Sequence, residues 1–156
     1  MVRLRPSRVD APDAHHLLTE YFAARAAGFP GGGYRTTFPD PAVFEEPAGV
    51  FVVLEDDDGE PVGCGGIRRL PDTAEGGRFE VKHLYVRPVG RGRGWGRVIL
   101  TELERRARVA GAADLVLDTH HALEAAGGLY ARSGFESIEP YNENPNATAW
   151  MRKTLG

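Results

Sequence analysis

Residues 91–96 read RGRGWG, three glycines and two arginines in six positions, between an apolar stretch ending at Val86 and a helical one opening near Gly94. Glycine weakens a strand or helix interior, but it permits positive φ and lets a ligand approach the main chain closely. Glycines clustered between ordered elements therefore read as a backbone cradle. The arginines make the guest anionic. Downstream, Trp95, Ile99, Leu103 and Ala107 recur at four-residue spacing with Val98 and Ala110 beside them, the stripe of an amphipathic helix. Glu102–Arg106 and Glu104–Arg108 are spaced to pair on its outer faces. Such a helix aims its unpaired N–H groups and positive dipole end at the cradle, where Arg91, Arg93 and Arg97 add full charges. The expected guest is a phosphate or pyrophosphate. No GxxxxGK[ST] string exists to make a P-loop, and the spacing of Gly90, Gly92, Gly94 and Gly96 puts Trp95 where a dinucleotide fingerprint needs its third glycine. A solvated basic turn is the plainer alternative.

The rest of the composition narrows what that cradle serves. A chain of 156 residues is one domain's worth, 1–156, and can bury a real core. Its net charge of −3 carries no global basic field for nucleic acid, so the arginines near position 91 are a local feature suited to a small anion. A single cysteine, Cys64, excludes an intramolecular disulfide and fits a reducing compartment. The opening MVRLRPSRVDAPDAHH lacks a signal peptide's apolar core, and no stretch approaches the ~20 apolar residues of a membrane span. A cytoplasmic protein without membrane partners is expected.

Around the cradle the elements fall into a regular order. Val2–Arg5 alternates as a short strand, and Asp10, Pro12 and Asp13 open a helix with Leu17/Tyr21 and Leu18/Phe22 as its buried pairs, ended by Gly28. Residues 29–49, FPGGGYRTTFPDPAVFEEPAG, are too long for a simple connector and read as a binding loop with a helical turn near 40–46. Strands at 50–54 and 62–70 flank the polar turn EDDDGEP, and Gly65–Gly66 marks a bulge or a close backbone contact. A strand at 79–86, the glycine loop and its helix, a strand at 115–118 and a helix at about 122–133 follow. Gly134 and Phe135 then stand as C′ and C″ of that helix, before strands near 135–138 and 147–153.

Two motifs in this order resemble the GCN5-related N-acetyltransferase (GNAT) family. The family's [Q/R]xxGx[G/A] between a strand and a helix matches Arg91-Gly92-Arg93-Gly94-Trp95-Gly96, and AxxLYxxxGF matches Ala126, Leu129, Tyr130, Gly134 and Phe135. An asparagine usual three residues before that alanine is Leu123 here. The resemblance implies a single-domain α/β (α+β) fold, a mixed, mostly antiparallel sheet of six to seven strands with about four helices. It also implies acetyl-CoA as acetyl donor, its pyrophosphate held by backbone N–H groups of Arg91, Gly92, Arg93, Gly94, Trp95, Gly96 and Arg97. The pantetheine arm would lie beside Leu84, Tyr85 and Val86, with a backbone N–H near Leu84 as oxyanion donor.

Direct transfer to an alkylamine, only about one part in a thousand neutral at pH 7, needs a base. Glu80 is the first candidate, eleven positions before Arg91 as in the family's histone-acetylating members, and period two would place it on one face with Lys82, Leu84 and Val86. An ordinary solvated strand residue is the alternative. Tyr130 matches the family's usual general acid, and packing is its alternative role. His83 faces away from Glu80 unless a bulge intervenes. His15–His16 and His120–His121 are adjacent pairs without a third ligand spaced for zinc, so no metal is expected, and Cys64 reads as buried and inert. Acceptor selection falls to the irregular segments, with Tyr34, Arg35 and Phe38 as contacts. Arg35 would suit a carboxylate, while Glu45, Glu46 and Glu143 would draw a polyamine. The acceptor is thus a small-molecule or peptide amine, used by a monomer or homodimer. A non-catalytic acyl-CoA-binding regulator and a degenerate interaction domain are the rival classes.

Overall fold

The computed structural model describes residues 1–156. A strand β1 (Arg3–Pro6) leads into helix α1 (Pro12–Gly28), the loop with one 3-10 turn (Pro41–Phe44), and strands β2 (Gly49–Glu55), β3 (Pro61–Thr73) and β4 (Gly76–Val86). Helix α2 (Trp95–Val109), strand β5 (Ala112–Thr119), helix α3 (Glu124–Arg132) and strands β6 (Glu136–Ser137) and β7 (Ala149–Thr154) complete the chain. The strands form one sheet in the order β1-β2-β3-β4-β5-β7-β6. Only β4 and β5 are parallel, as the α2 crossover between them requires. The expected sheet is present; three α-helices and two 3-10 turns stand where about four helices were expected.

Each face of the sheet owns a core. Strand β2, GVFVVLE, is buried throughout, and its alternation sends Val50, Val52 and Leu54 toward Ile99, Leu100 and Leu103 of α2. Phe51 and Val53 go the other way, onto Leu17, Leu18 and Phe22 of α1. At ~25 cal/mol per Å², side chains of this size each contribute about 1.5–3 kcal/mol when buried, and the two clusters lock both helices to the sheet. Helix α1 starts on Pro12 at its first turn and has no side-chain cap. Asp10, expected to open the helix, pairs with Arg8 instead at 2.9 Å. Helix α3 ends in a Schellman motif: Phe135 N–H donates to the Tyr130 carbonyl at 3.0 Å and Gly134 N–H to Ala131 at 3.2 Å.

Two irregularities of β4 shape the site. Its pairing with β5 stops at Glu80↔Val116, so from Val81 onward the two parallel strands diverge and the facing edge of β4 has no strand partner. On its other edge Cys64 pairs with Tyr85 and Gly66 with Lys82, which leaves His83 and Leu84 together opposite Gly65. This is a β-bulge, and His83 takes φ 58 in it. The bulge breaks the period of two. Leu84 and Val86 turn to the α2 core, whereas His83 packs at 5.6 Å from the rings of Tyr21 and Phe22 on the α1 side. The expected common face of Glu80, Lys82, Leu84 and Val86 therefore does not exist.

Candidate active site

The divergence of β4 from β5 opens a cleft of about 1400 Å³. That exceeds the ~300–1,000 Å³ of a pocket for one drug-sized ligand and gives room for two reactants. One end is the glycine loop. Gly92 and Gly94 have φ 80 and 77, and open space lies where a side chain would project. The first helical bond of α2 runs from Val98 N–H to the Gly94 carbonyl at 3.2 Å, so the N–H groups of Trp95, Gly96 and Arg97 precede the ladder. Arg91 and Arg97 line this end, and neither has a carboxylate within 4.0 Å. Free donors, a helix N-terminus and unpaired guanidinium groups fit a pyrophosphate.

Two of the residues expected in the cradle stand outside its wall. Trp95 turns inward to the core beneath Gly90, where an added methyl would overlap the indole, and the Arg93 guanidinium lies over the Trp95 ring at 5.3 Å from its centroid. Their side chains support the loop from behind. Leu84, Tyr85 and Val86 line the cleft as expected, next to Gly90, Gly92 and Gly94. The Tyr85 hydroxyl donates to Glu20 of α1 at 3.1 Å, and Arg87 closes the same carboxylate at 2.7 Å.

Tyr130 lines the cleft from α3, its ring edge-to-face with Phe135 at 5.9 Å. Burial pushes its phenol well above the usual tyrosine value, so it keeps its proton throughout the neutral range. Glu80 does not reach the cleft. It has no exposed surface: Arg68 Nε donates to Oε1 at 2.7 Å, the Tyr141 hydroxyl donates to Oε2 at 2.5 Å, and Lys82 Nζ lies 3.9 Å away. A carboxylate so enclosed anchors its neighbours and offers no surface to the cleft. What reaches the cleft from this network is Arg68, Lys82 and Asp118, the last held 3.3 Å from Lys82 Nζ and accepting from Asn142 at 2.7 Å. Burial opposes ionisation of Asp118, but Lys82 and the amides of Asn142 and Asn144 outweigh it and keep the carboxyl below its usual range.

His83 is the group that alternation hid. The bulge turns it into the cleft, where its Nδ1 is buried without a partner. Burial, with the charges of Lys82 and Arg68, lowers its pKa to about 3 and keeps the imidazole neutral. The signal available in the sequence was Gly65–Gly66, which marked the bulge but not which residue of β4 it would displace. Cys64 is buried, its thiol pushed up by that burial and donating to the His83 carbonyl at 3.5 Å.

The far end of the cleft is built from the two irregular segments. Tyr34, Arg35 and Phe38 all line it, and Asn146 joins the segments by accepting from Arg35 N–H at 3.1 Å and donating to the Arg35 carbonyl at 2.8 Å. Burial raises the Tyr34 phenol to about 12. Glu45, Glu46 and Glu143 are absent from the wall, and Glu45 is paired with Arg8. No group of three or more histidine, cysteine or acidic side chains is placed to hold a metal, and no helix is long and apolar enough to cross a membrane.

Residues 12–135 match the model of the acetyltransferase (GNAT) family. The chain belongs to that family. Over 99 residues it is 35% identical to an uncharacterized N-acetyltransferase of Schizosaccharomyces pombe, covering 64% of this chain and 59% of the relative. Over 100 residues it is 39% identical to the IAA acetyltransferase of Azospirillum brasilense, covering 62% and 63%. The chain thus spans about three fifths of the relatives it matches. In fold it is similar to a GNAT-family acetyltransferase of Staphylococcus aureus, with TM-score 0.82 at 16% identity over the whole of both chains. It is also similar to N-acetylglutamate synthase of Neisseria gonorrhoeae, determined with coenzyme A and N-acetyl-glutamate, with TM-score 0.73 at 20% identity over all of this chain and 35% of that one.

Proposed function

We propose that the protein is an acetyl-CoA-dependent N-acetyltransferase that moves the acetyl group directly to a primary amine of a small molecule or peptide. One observation carries this reading: a single cleft is lined by the glycine cradle, by Tyr34, Arg35 and Phe38, and by Tyr130. Acetyl-CoA supplies an acetyl group activated as a thioester. The backbone N–H groups of Gly92, Gly94, Trp95, Gly96 and Arg97, with the side chains of Arg91 and Arg97, hold its pyrophosphate. The N–H groups of Arg91 and Arg93, expected to join them, donate instead to the carbonyls of Pro88 and Gly90, and the unpaired edge of β4 orients the arm. The N–H near Leu84, at the bulge, is the donor assigned to the developing oxyanion, a role worth about 3 kcal/mol in a preorganised site. Tyr130, kept protonated by burial, gives its proton to the leaving sulfur.

With Glu80 sealed, its part is indirect. It holds Lys82, Arg68 and Tyr141 in place. The amine attacks in its neutral form, and the proton its nitrogen sheds as the C–N bond forms passes to solvent in the open cleft, which restores the one Tyr130 gives to sulfur as the C–S bond breaks. Calorimetric titration of the purified chain with acetyl-CoA and with desulfo-CoA tests the cradle, and thiol release with amines, amino acids and peptides tests transfer. Arg91→Ala should weaken binding by at least tenfold. An unchanged affinity would remove the cradle from the argument, and binding without turnover of any amine would favour the regulator instead.

A further inference from the structure

We infer that the acceptor amine also carries a carboxylate, anchored by Arg25 at the far end of the cleft. The inference rests on the transferase reading and names the substrate class of that same site.

Arg25 sits in the last turn of α1 and lines the cleft. Its guanidinium lies 5.1 Å from the centroid of the Tyr34 ring and 6.0 Å from that of Tyr21, so two aromatic rings fix its direction. Its protein hydrogen bonds go to neutral acceptors, the Tyr21 hydroxyl at 3.2 Å and the Asn146 carbonyl at 3.5 Å. No carboxylate comes within 4.0 Å of it, although Arg68 and Lys82, the cations beside it in the wall, are matched by Glu80 and Asp118. A half-buried guanidinium with five donors, an imposed orientation and no counter-charge is built for an anion, and its fork fits a carboxylate bidentately. Arg35, whose side chain is likewise without a carboxylate partner, adds a second positive charge at the rim.

The anchor lies close to the chemistry. Tyr21 bridges the two, its hydroxyl on Arg25 and its ring 5.6 Å from that of His83 at the bulge. One tyrosine side chain therefore separates a bound carboxylate from the bulge, a span that needs several bonds between carboxylate and amine, more than the single carbon of an α-amino acid. Between them the wall is apolar: Phe22 and Phe38 meet edge-to-face at 5.0 Å, and Phe44 stands 5.8 Å from His83. An amine whose carboxylate lies several apolar bonds away, as in an ω-amino acid, satisfies the cation, the apolar wall and the position of the bulge together. A polyamine does not suit the cations, because with Arg68 and Lys82 paired to Glu80 and Asp118 the unpaired Arg25 and Arg35 still outnumber Asp40 at this end.

The first test needs no turnover. Ligand-observed NMR titration of the full chain with 3-phenylpropionate and with its amide, each with and without CoA, compares a carboxylate and a neutral isostere that cannot be acetylated. The acid should bind at least tenfold more tightly than the amide, and Arg25→Gln should bring the acid down to the level of the amide. Arg25→Lys, keeping charge without the fork, should retain part of the preference. Equal binding of acid and amide by the wild-type chain, no binding of the acid, or an undiminished affinity in a folded Arg25→Gln would overturn the anchor. In thiol-release assays 6-aminohexanoate should exceed hexylamine in kcat/KM through a lower KM. Arg25-dependent binding of the acid in a protein that does not bind acetyl-CoA would keep the anchor and discard the transferase reading.

Discussion

Tyr130 and Glu80 are the residues whose roles the fold separates most sharply. Tyr130→Phe keeps the aromatic contact with Phe135 but removes the only proton the ring can give. Its kcat should fall by roughly 10²-fold with a melting temperature near that of the wild type. Wild-type turnover in that variant would end the acid assignment. Glu80→Gln should behave in the opposite way, because it removes the buried charge opposite Arg68 and Lys82. Breaking such a pair costs roughly 3 kcal/mol, so thermal unfolding should register the loss, while the pH dependence of any remaining activity keeps its shape. A variant of full stability with a displaced pH profile would return Glu80 to the mechanism as a base.

Among the elements, the glycine loop makes two different demands on the same residue type. Gly90 is crowded and Gly92 is open, so substitutions at the two should fail for different reasons. In Gly90→Ala the added methyl collides with Trp95, and because that indole packs against the core the expected effect is lost stability. In Gly92→Ala nothing is struck, but φ 80 is strained for alanine by about 1 kcal/mol and the methyl enters the space above the cradle. Calorimetry should show weaker acetyl-CoA binding in a protein that still folds. Unchanged acetyl-CoA affinity in Gly92→Ala would show that the cradle does not hold the phosphates. The periodicity of α2 and the RGRGWG cluster were legible in the sequence because both are local: helical spacing and glycine clustering are complete within a dozen residues. The inward face of Trp95 was legible too, as the first residue of that stripe; its seat beneath Gly90 was not, since it depends on the core under the loop.

For the whole molecule, the acid limb of stability should start early. His83 titrates near 6.5 in an unfolded chain and at about 3 in the fold, so between these values the unfolded state binds the extra proton. Stability therefore falls as pH drops from about 6.5 toward 3, and His120, also held below its ordinary value by burial, adds in the same direction. The carboxylates of Glu20, through Arg87, and of Asp118, through Lys82, are held below their usual range. Their contribution is present above the ordinary carboxyl values of 4.5 and 3.8 and is lost as pH falls through the lower folded ones. Denaturant midpoints measured from pH 7 to pH 4 should show a slope that His83→Asn reduces, asparagine being tolerant of the positive φ. An identical slope in that variant would mean the imidazole is not held neutral.

What the sequence alone determined follows from short-range rules: the succession of strands and helices along the chain, the helix behind the glycine loop, the capped end of α3 and the family resemblance of the two motifs. What the tertiary structure decided follows from contacts between distant segments and from a single inserted residue. Side-chain direction along a strand has period two, so the one-residue bulge at His83 and Leu84 reversed the facing of everything beyond it. Glu80 was sealed by Arg68 from β3 and Tyr141 from a loop 61 positions away. Arg25 was left without a counter-charge by neighbours drawn from α1, the 29–49 loop and Asn146. Whether a charge is paired or waiting for a partner is a property of three-dimensional surroundings, which no local pattern encodes.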